Sequence, residues 1–327
     1  MSVMLQAPET LRVGVSALFD PDDTPHARTF LRALAVARNV IPGLGRVQWH
    51  FLDDGANARR GAEVAQQMID WRADLVIGHF SSDAAIGAAP LYQRAGMALL
   101  TPAATIDRLT VEHPNVFRFC PSDRQLASDL TVWLSARRWR SVHLQADDSA
   151  HGQALVVAIG DALETAGLQI VSEREHEHAD VEVFAGRLRA SREHRQARRQ
   201  AGSTRPLVLT DDAASPHLGC APAHDSNTWV IGFGVPPAPQ HGDSAHALHR
   251  SLFGTAPQTY YRESLLMLYV LAILANSAWR REQLLDVLNH TTFNTPLGAV
   301  SFEQGEYRSA FNSVWRFGPE GLIAEPL

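Results

Sequence analysis

Asp74-Leu-Val-Ile-Gly78-His79-Phe80-Ser81-Ser82-Asp83, followed fourteen positions later by Met97-Ala-Leu-Leu-Thr101-Pro102-Ala103-Ala104-Thr105, is one pattern written twice. Each copy is a short apolar run, too brief for a helix, that breaks into small and hydroxyl-bearing residues, and a segment of helical character separates the two. Strand, helix, strand in that order predicts parallel strands joined by a right-handed crossover. The beat continues outward. Strand-like runs precede it at Leu11–Leu18 and Val47–Leu52 and follow it at Val116–Cys120. Helical spacing appears at Phe30, Leu31, Leu34, Val36 and Val40, and again at Ala62, Val64, Ala65, Met68 and Ile69. The first 120 residues therefore read as a doubly wound α/β sheet, whose ligands bind beyond the carboxyl ends of the strands.

That rule directs attention to the turns. Ser81 and Ser82 lead into a helix that begins near Ala84, where hydroxyls, backbone N–H groups and the helix dipole can receive an anion. Thr101 to Thr105 offers a second small, hydroxyl-bearing turn on the neighbouring strand. Helix capping by Ser82 would satisfy the same donors, and spacing leaves both readings open.

The pattern restarts after Pro121. A helix is predicted at Arg124–Ala136, strands at Ser141–Gln145, Leu168–Val171, Val181–Phe184, Pro206–Thr210 and Thr228–Phe233, and a helix at Gly152–Ala166. Val235 to Gln258 is rich in Pro, His, Gly and Ser and reads as loop. The run Leu265–Ala275 is too short to span a bilayer and reads as a buried helix. β segments at Leu297–Phe302 and Ser313–Phe317 complete the earlier units.

Composition removes several chemistries. All 29 basic residues are arginine, so an internal lysine Schiff base and a GxxxxGK[ST] phosphate loop have no residue to use. A net charge of −6 opposes nucleic-acid binding. The arginines of Arg187–Arg199 read as a solvated helical face, with 188, 192, 195 and 199 aligned. Cys120 and Cys220 form no CxxC pair and read as unpaired thiols. Gly43-Leu44-Gly45 lacks the third glycine of a dinucleotide fingerprint. Glu175-His176-Glu177-His178 could offer one edge of a metal site but fixes no third ligand, and reads as a solvated acidic loop. No GxSxG, HExxH or Cys-His signature occurs. Neither a metal nor a cofactor is expected, and a binding protein is favoured over an enzyme.

The order of motifs resembles the type I periplasmic-binding-protein family, in its leucine/isoleucine/valine-binding branch. The likeness runs through Asp53-Asp54, Gly78 with Ser81-Ser82, Pro90, Ala95-Gly96, Thr101 to Thr105, Leu109-Thr110 and Val116-Phe-Arg-Phe-Cys-Pro-Ser-Asp123. It continues at Asp148 with His151-Gly152 and at Phe293-Asn-Thr-Pro-Leu-Gly298 with Phe302 and Gly305. The resemblance implies two doubly wound parallel-sheet lobes joined by a multi-strand hinge of three crossovers, closing on a small polar ligand. It assigns residues 1–120 plus about 251–311 to the first lobe, and 121–250 plus about 312–327 to the second.

Residue by residue, it places the ligand's carboxylate on Ser82, Ala103 and Thr105, with Ser81 nearby. It places the ammonium group on Asp211 or its neighbour Asp212. His151 stands where the family carries an aromatic residue next to glycine, and Leu188 where it carries a second one. The implied function is non-enzymatic binding of an amino acid or amide-like molecule, for an ABC permease or, as an alternative, as a cytoplasmic sensor of the amide type acting on a regulatory protein. A homodimer is compatible with either. Met1–Thr10 has neither the basic nor the apolar segment of a secretory leader, so the expectation is cytoplasmic, or periplasmic if a leader precedes this sequence. No membrane insertion is expected. Two rival classes have their own marks. An enzyme would place His151 within hydrogen-bond reach of a Ser or Asp in the cleft, and an interaction protein would expose an apolar face on the helix around Leu265–Leu274.

Overall fold

A computed structural model describes residues 10–20, 24–219, 225–233, 244–255, 257–277, 281–318 and 321–325. The alternating runs of the sequence become strands β1 (Leu11–Ala17), β2 (Val47–Asp53), β3 (Leu75–Gly78), β4 (Ala98–Thr101) and β5 (Val116–Arg118). Between them lie helices α1 (His26–Val40), α2 (Ala58–Asp70), α3 (Ser82–Arg94) and the short α4 (Arg108–Glu112). Every residue of β3, β4 and β5 is buried, as expected of central parallel strands covered on both faces.

The second unit contains α5 (Asp123–Ala136), β6 (Ser141–Ala146), α6 (Ala150–Thr165), β7 (Gln169–Val171), β8 (Val181–Ala185), α7 (Leu188–Gln200), β9 (Leu207–Leu209) and β10 (Thr228–Phe233). Then come α8 (Ser244–Phe253), α9 (Tyr261–Asn276), α10 (Leu284–His290), a hairpin of β11 (Phe293–Thr295) and β12 (Gly298–Val300), β13 (Phe302–Glu303) and β14 (Glu306–Tyr307). The chain ends with β15 (Asn312–Gly318) and β16 (Gly321–Glu325).

Two seven-stranded sheets result, ordered β13-β14-β5-β4-β3-β1-β2 and β16-β15-β10-β9-β8-β6-β7. Strands β1 to β5 are mutually parallel, as are β6 to β10, while β15 and β16 add antiparallel edges. The chain passes between the sheets after β5, after β10 and after β14. The two-lobed α/β architecture is thus the one expected.

Two expectations need correction, and a third holds. Ser244–Phe253 was expected within a loop and is a helix; Ala245 and Leu248 pack into the first lobe's core, so the boundary at 250 falls inside an element of that lobe. The run Leu265–Ala275 is the buried helix expected: α9 packs against α1, and the exposed apolar face that the interaction reading requires is not there. The arginine segment is not simply solvated. Leu188, Ser191 and Arg195 face inward on α7, Arg195 holds Asp225 with both oxygens at 3.0–3.1 Å, and Arg198 pairs with Glu182. Cys220 lies outside the described residues; Cys120 is a buried free thiol whose pKa burial pushes well up.

Close helix packing supports the first lobe. Gly61 and Gly87 bring α2 and α3 together, and a Cβ at either would meet backbone atoms of Ala84 or Ala58. In the second lobe Trp133, Trp139 and Trp229 form a triangle with ring centroids 5.6–5.8 Å apart, and the Arg137 guanidinium lies 4.3 Å from the Trp133 centroid.

Candidate ligand-binding cleft

The first lobe contributes two strand-end turns fixed from behind. After β3, Gly78 takes φ of 115° beside the Ser16 carbonyl, a backbone path that needs glycine. His79 then reaches inward to Asp54 Oδ2 at 2.9 Å and to the Tyr92 hydroxyl at 3.0 Å, and Ser16 Oγ donates to Asp54 Oδ2 at 2.8 Å. Burial would raise the Asp54 pKa, but His79, Ser16 and the Ala56 N–H together lower it. This Ser-His-Asp set is buried and ties the ends of β1, β2 and β3 together; it faces core, not cleft.

The turn after β4 is held by Arg118. Its Nη1 donates to the carbonyls of Thr105 and Ile106 at 2.6 and 2.9 Å, and its Nε and Nη2 pair with Glu306. Arg118 is fully buried. Burial works against its charge, and Glu306 more than restores it, raising the pKa. Capping does not explain the serines: Ser81 is the N-cap residue of α3, yet its side chain makes no capping bond.

The second lobe presents charge. Asp211 and Asp212 sit in a 3₁₀ turn after β9, and both are buried. Asp212 Oδ1 accepts from His26 Nε2 at 2.7 Å and from the Tyr260 hydroxyl at 2.6 Å, both from first-lobe elements. Burial raises its pKa, but His26 overrides that and holds it well below the usual carboxylate range. The Tyr260 hydroxyl is pushed well up, first by burial and then by Asp212.

His151, in the first turn of α6, lies 3.2 Å from Thr105 Oγ1 through Nδ1 and 3.4 Å from Asp211 Oδ1 through Nε2. The second contact pairs charge but misses hydrogen-bond geometry, so both atoms lack a hydrogen-bond partner. Burial lowers the His151 pKa; Asp211, Asp212 and Asp123 outweigh it and raise it to about 10. Asp123, beneath, is raised by burial to about 6, with His151 and Thr105 drawing it back. Arg187 crosses from α7 to donate to Asp83 Oδ2 at 2.7 Å, Ser81 Oγ at 3.3 Å and the Ala56 carbonyl at 3.0 Å. Asp83 also accepts the Ala150 N–H at 3.1 Å.

Between the lobes remains a cavity of about 10 Å³ lined by Thr24, His26, Phe80, Ser81, Ser82, Ala103, His151, Arg187, Asp211 and Asp212. Of the expected residues, Ser81, Ser82, Ala103, His151, Asp211 and Asp212 line it. Thr105 stands one step back, bonded to His151, and the Ala103 N–H faces Thr101 Oγ1 at 3.4 Å. Leu188 is misplaced: it is fully buried in the second lobe's core, while its neighbour Arg187 reaches the cleft. Sequence reading missed His26 and Tyr260. They meet Asp212 across 186 and 48 positions, and no local pattern signals either.

The Glu175–His178 segment is an exposed 3₁₀ turn, with His176 donating to the Glu173 carbonyl; among the described residues no group of three His, Cys, Asp or Glu could hold a metal. His151 Nε2 stands 3.4 Å from Asp211 without hydrogen-bond geometry, and the hydroxyl beside its Nδ1 is that of Thr105, with no serine bonded to it among the described residues.

A family model described as periplasmic binding protein matches residues 18–193, just over half the chain. The chain belongs to the periplasmic binding protein family. Membership makes it a solute-binding protein and not an enzyme, as expected. Relatives include an amino acid binding protein of Pseudomonas aeruginosa, 31% identical over 36% of this chain and 33% of its own length. Another is a Leu/Ile/Val/Thr-binding protein of Salmonella typhimurium, 25% identical over 36% of this chain and 33% of its length. The chain thus spans about a third of the curated relatives it matches.

Among solved structures, a leucine-binding protein of Thermotoga maritima matches with a TM-score of 0.83 and 17% identity, over 96% of this chain and 97% of that one. An ABC transporter solute-binding protein of R. palustris in complex with benzoate matches at 0.82 and 14%, over 97% and 96%. At such identities these likenesses establish the fold, and the expected leucine/isoleucine/valine-binding branch agrees with the relatives' names. Among the described residues, no helix is long and apolar enough to cross a membrane.

Proposed function

We propose that this periplasmic binding protein takes a small polar, carboxylate- or amide-bearing molecule of the amino-acid class between its lobes, for delivery to an ABC permease. The observation that carries this reading is convergence. Ser81, Ser82, Ala103 and Thr105 from first-lobe turns meet His151, Arg187, Asp211 and Asp212 from the second lobe around one enclosed spot. Serine hydroxyls at the N-terminus of α3 suit the oxygen end of a ligand, and Asp211 Oδ1, which accepts no hydrogen bond and is faced by His151, suits its N–H end. Names such as amino acid binding protein and Leu/Ile/Val-binding protein among the relatives support the same class.

Isothermal titration with the twenty amino acids and a set of short aliphatic amides tests the ligand class. Saturable heat with at least one is expected, and silence across the panel removes it. Fractionation of cells expressing the full gene product separates transporter component from cytoplasmic amide sensor: recovery outside the cytoplasm supports delivery to a permease, and retention inside supports the sensor.

A further inference from the structure

His151 touches both of the positions that the proposed function gives to the two ends of the ligand. Its Nδ1 sits 3.2 Å from Thr105 Oγ1, and its Nε2 sits 3.4 Å from Asp211 Oδ1. The residue is 7% exposed and Asp211 1%. The remaining cavity, about 10 Å³, has room for roughly one water and no amino acid. We propose that His151 is a built-in occupant of the ligand seat, an intramolecular stand-in for the ligand's cationic end that a bound molecule must displace. This inference rests on the proposed function, because it takes Thr105 and Asp211 as ligand-holding groups.

The chemistry of the surroundings favours this role over that of a lid. A protonated imidazole carries two N–H donors and no acceptor. One lies at hydrogen-bond distance from the Thr105 hydroxyl oxygen, and the other lies 3.4 Å from the Asp211 carboxylate as an ion pair without hydrogen-bond geometry. The groups around it keep it charged. Asp211 and Asp212, on the turn after β9, and Asp123, on α5, supply that effect; Asp83, in the first turn of α3, and Asp147, before α6, stand nearby and are engaged by Ala150 N–H and Arg187 and by Ser149. His26 and Arg187 lie across the cavity, already engaged by Asp212 and Asp83.

A ligand ammonium arriving at Asp211 therefore competes with a cation already there. Once His151 swings into a less acidic setting its ordinary pKa returns and it sheds its proton. Binding of an amino acid at pH 8 should then release up to about one proton per site.

The test is titration of the twenty amino acids and acetamide into wild type, His151→Ala and His151→Gln, at pH 8 in buffers of different ionisation enthalpy. Removal of the competitor should tighten amino-acid binding at least about tenfold in both variants and abolish proton release. Equal or weaker binding in the variants overturns the proposal and makes His151 a bystander or a direct ligand contact, with the proposed function intact. Silence in all three proteins removes the ligand class. Small-angle scattering of the proteins without added ligand then still decides the self-contact: a larger radius of gyration in His151→Ala supports it, and identical curves overturn it.

Discussion

The two walls of the cleft are made of different chemistry. The first lobe offers hydroxyls and backbone on turns braced from behind by Arg118, Asp54 and His79, while the second lobe offers carboxylates, an imidazole and a guanidinium on turns and helix starts. The braces of the first wall come from within its own lobe. Those of the second come from the opposite lobe, since His26 and Tyr260 satisfy Asp212. The turns of the first wall are thus held mainly from behind, whereas Asp212 is held from across the cleft.

The sharpest way to break that contrast is Arg118→Ala. It strands the Glu306 carboxylate and frees the carbonyls that shape the Thr105 turn, and should cost about 3–5 kcal/mol in urea unfolding. A loss below about 1 kcal/mol would mean that the first wall is not braced this way. Asp212→Ala comes next. It leaves His26 and Tyr260 without their shared acceptor, at about 2–4 kcal/mol and with a more open scattering profile. Unchanged scattering would show that the second wall does not depend on the first.

The lobes' helix layers give a milder comparison. Gly87→Ala drives a methyl group into the Ala58 carbonyl and should destabilise by about 1–3 kcal/mol. Gly160→Ala, whose Cβ would meet only Ile170 at 3.7 Å, should stabilise α6 by up to about 1 kcal/mol. Thermal midpoints of the pair decide it, and equal signs would refute the contrast.

A further effect is one of pH. His151 has a folded pKa of about 10, above its ordinary 6.5, so its contribution is complete below about pH 6.5 and is lost as pH rises through about 10. Asp123, raised from 3.8 to about 6, loses its contribution earlier, as pH climbs through about 6. Wild type should therefore lose more thermal stability than His151→Gln between pH 7 and 10, and parallel curves would discount the charge on His151.

The same contrast explains what could be read from the sequence. The parallel strands announce themselves because burial on both faces demands continuous apolar runs, as in Leu75–Gly78 and Leu207–Leu209. The first wall was legible for a related reason: its site residues follow directly on such strands. On the second wall Asp211 and Asp212 obey that rule and were found. Leu188, placed in the cleft by the resemblance, is buried in the second lobe's core, and Arg187 before it reaches the cleft, a difference set by how the helix start meets the opposite lobe. His26 and Tyr260 act through long-range contacts that periodicity does not encode. Composition hides helix α8, since two histidines and two serines lie within Ser244 to Ser251.

The tryptophan triangle of the second lobe carries an optical consequence. Trp133, Trp139 and Trp229 are close enough for their excited states to couple, and Trp315 lies in the same lobe, so four of the chain's seven indoles report on one half of the molecule. The tryptophan bands of the near-ultraviolet circular dichroism will therefore be weighted toward melting of the second lobe, whereas the tyrosines, with Trp49 and Trp71, report on the first. A mismatch between that curve and far-ultraviolet ellipticity would time the two halves separately, without any label.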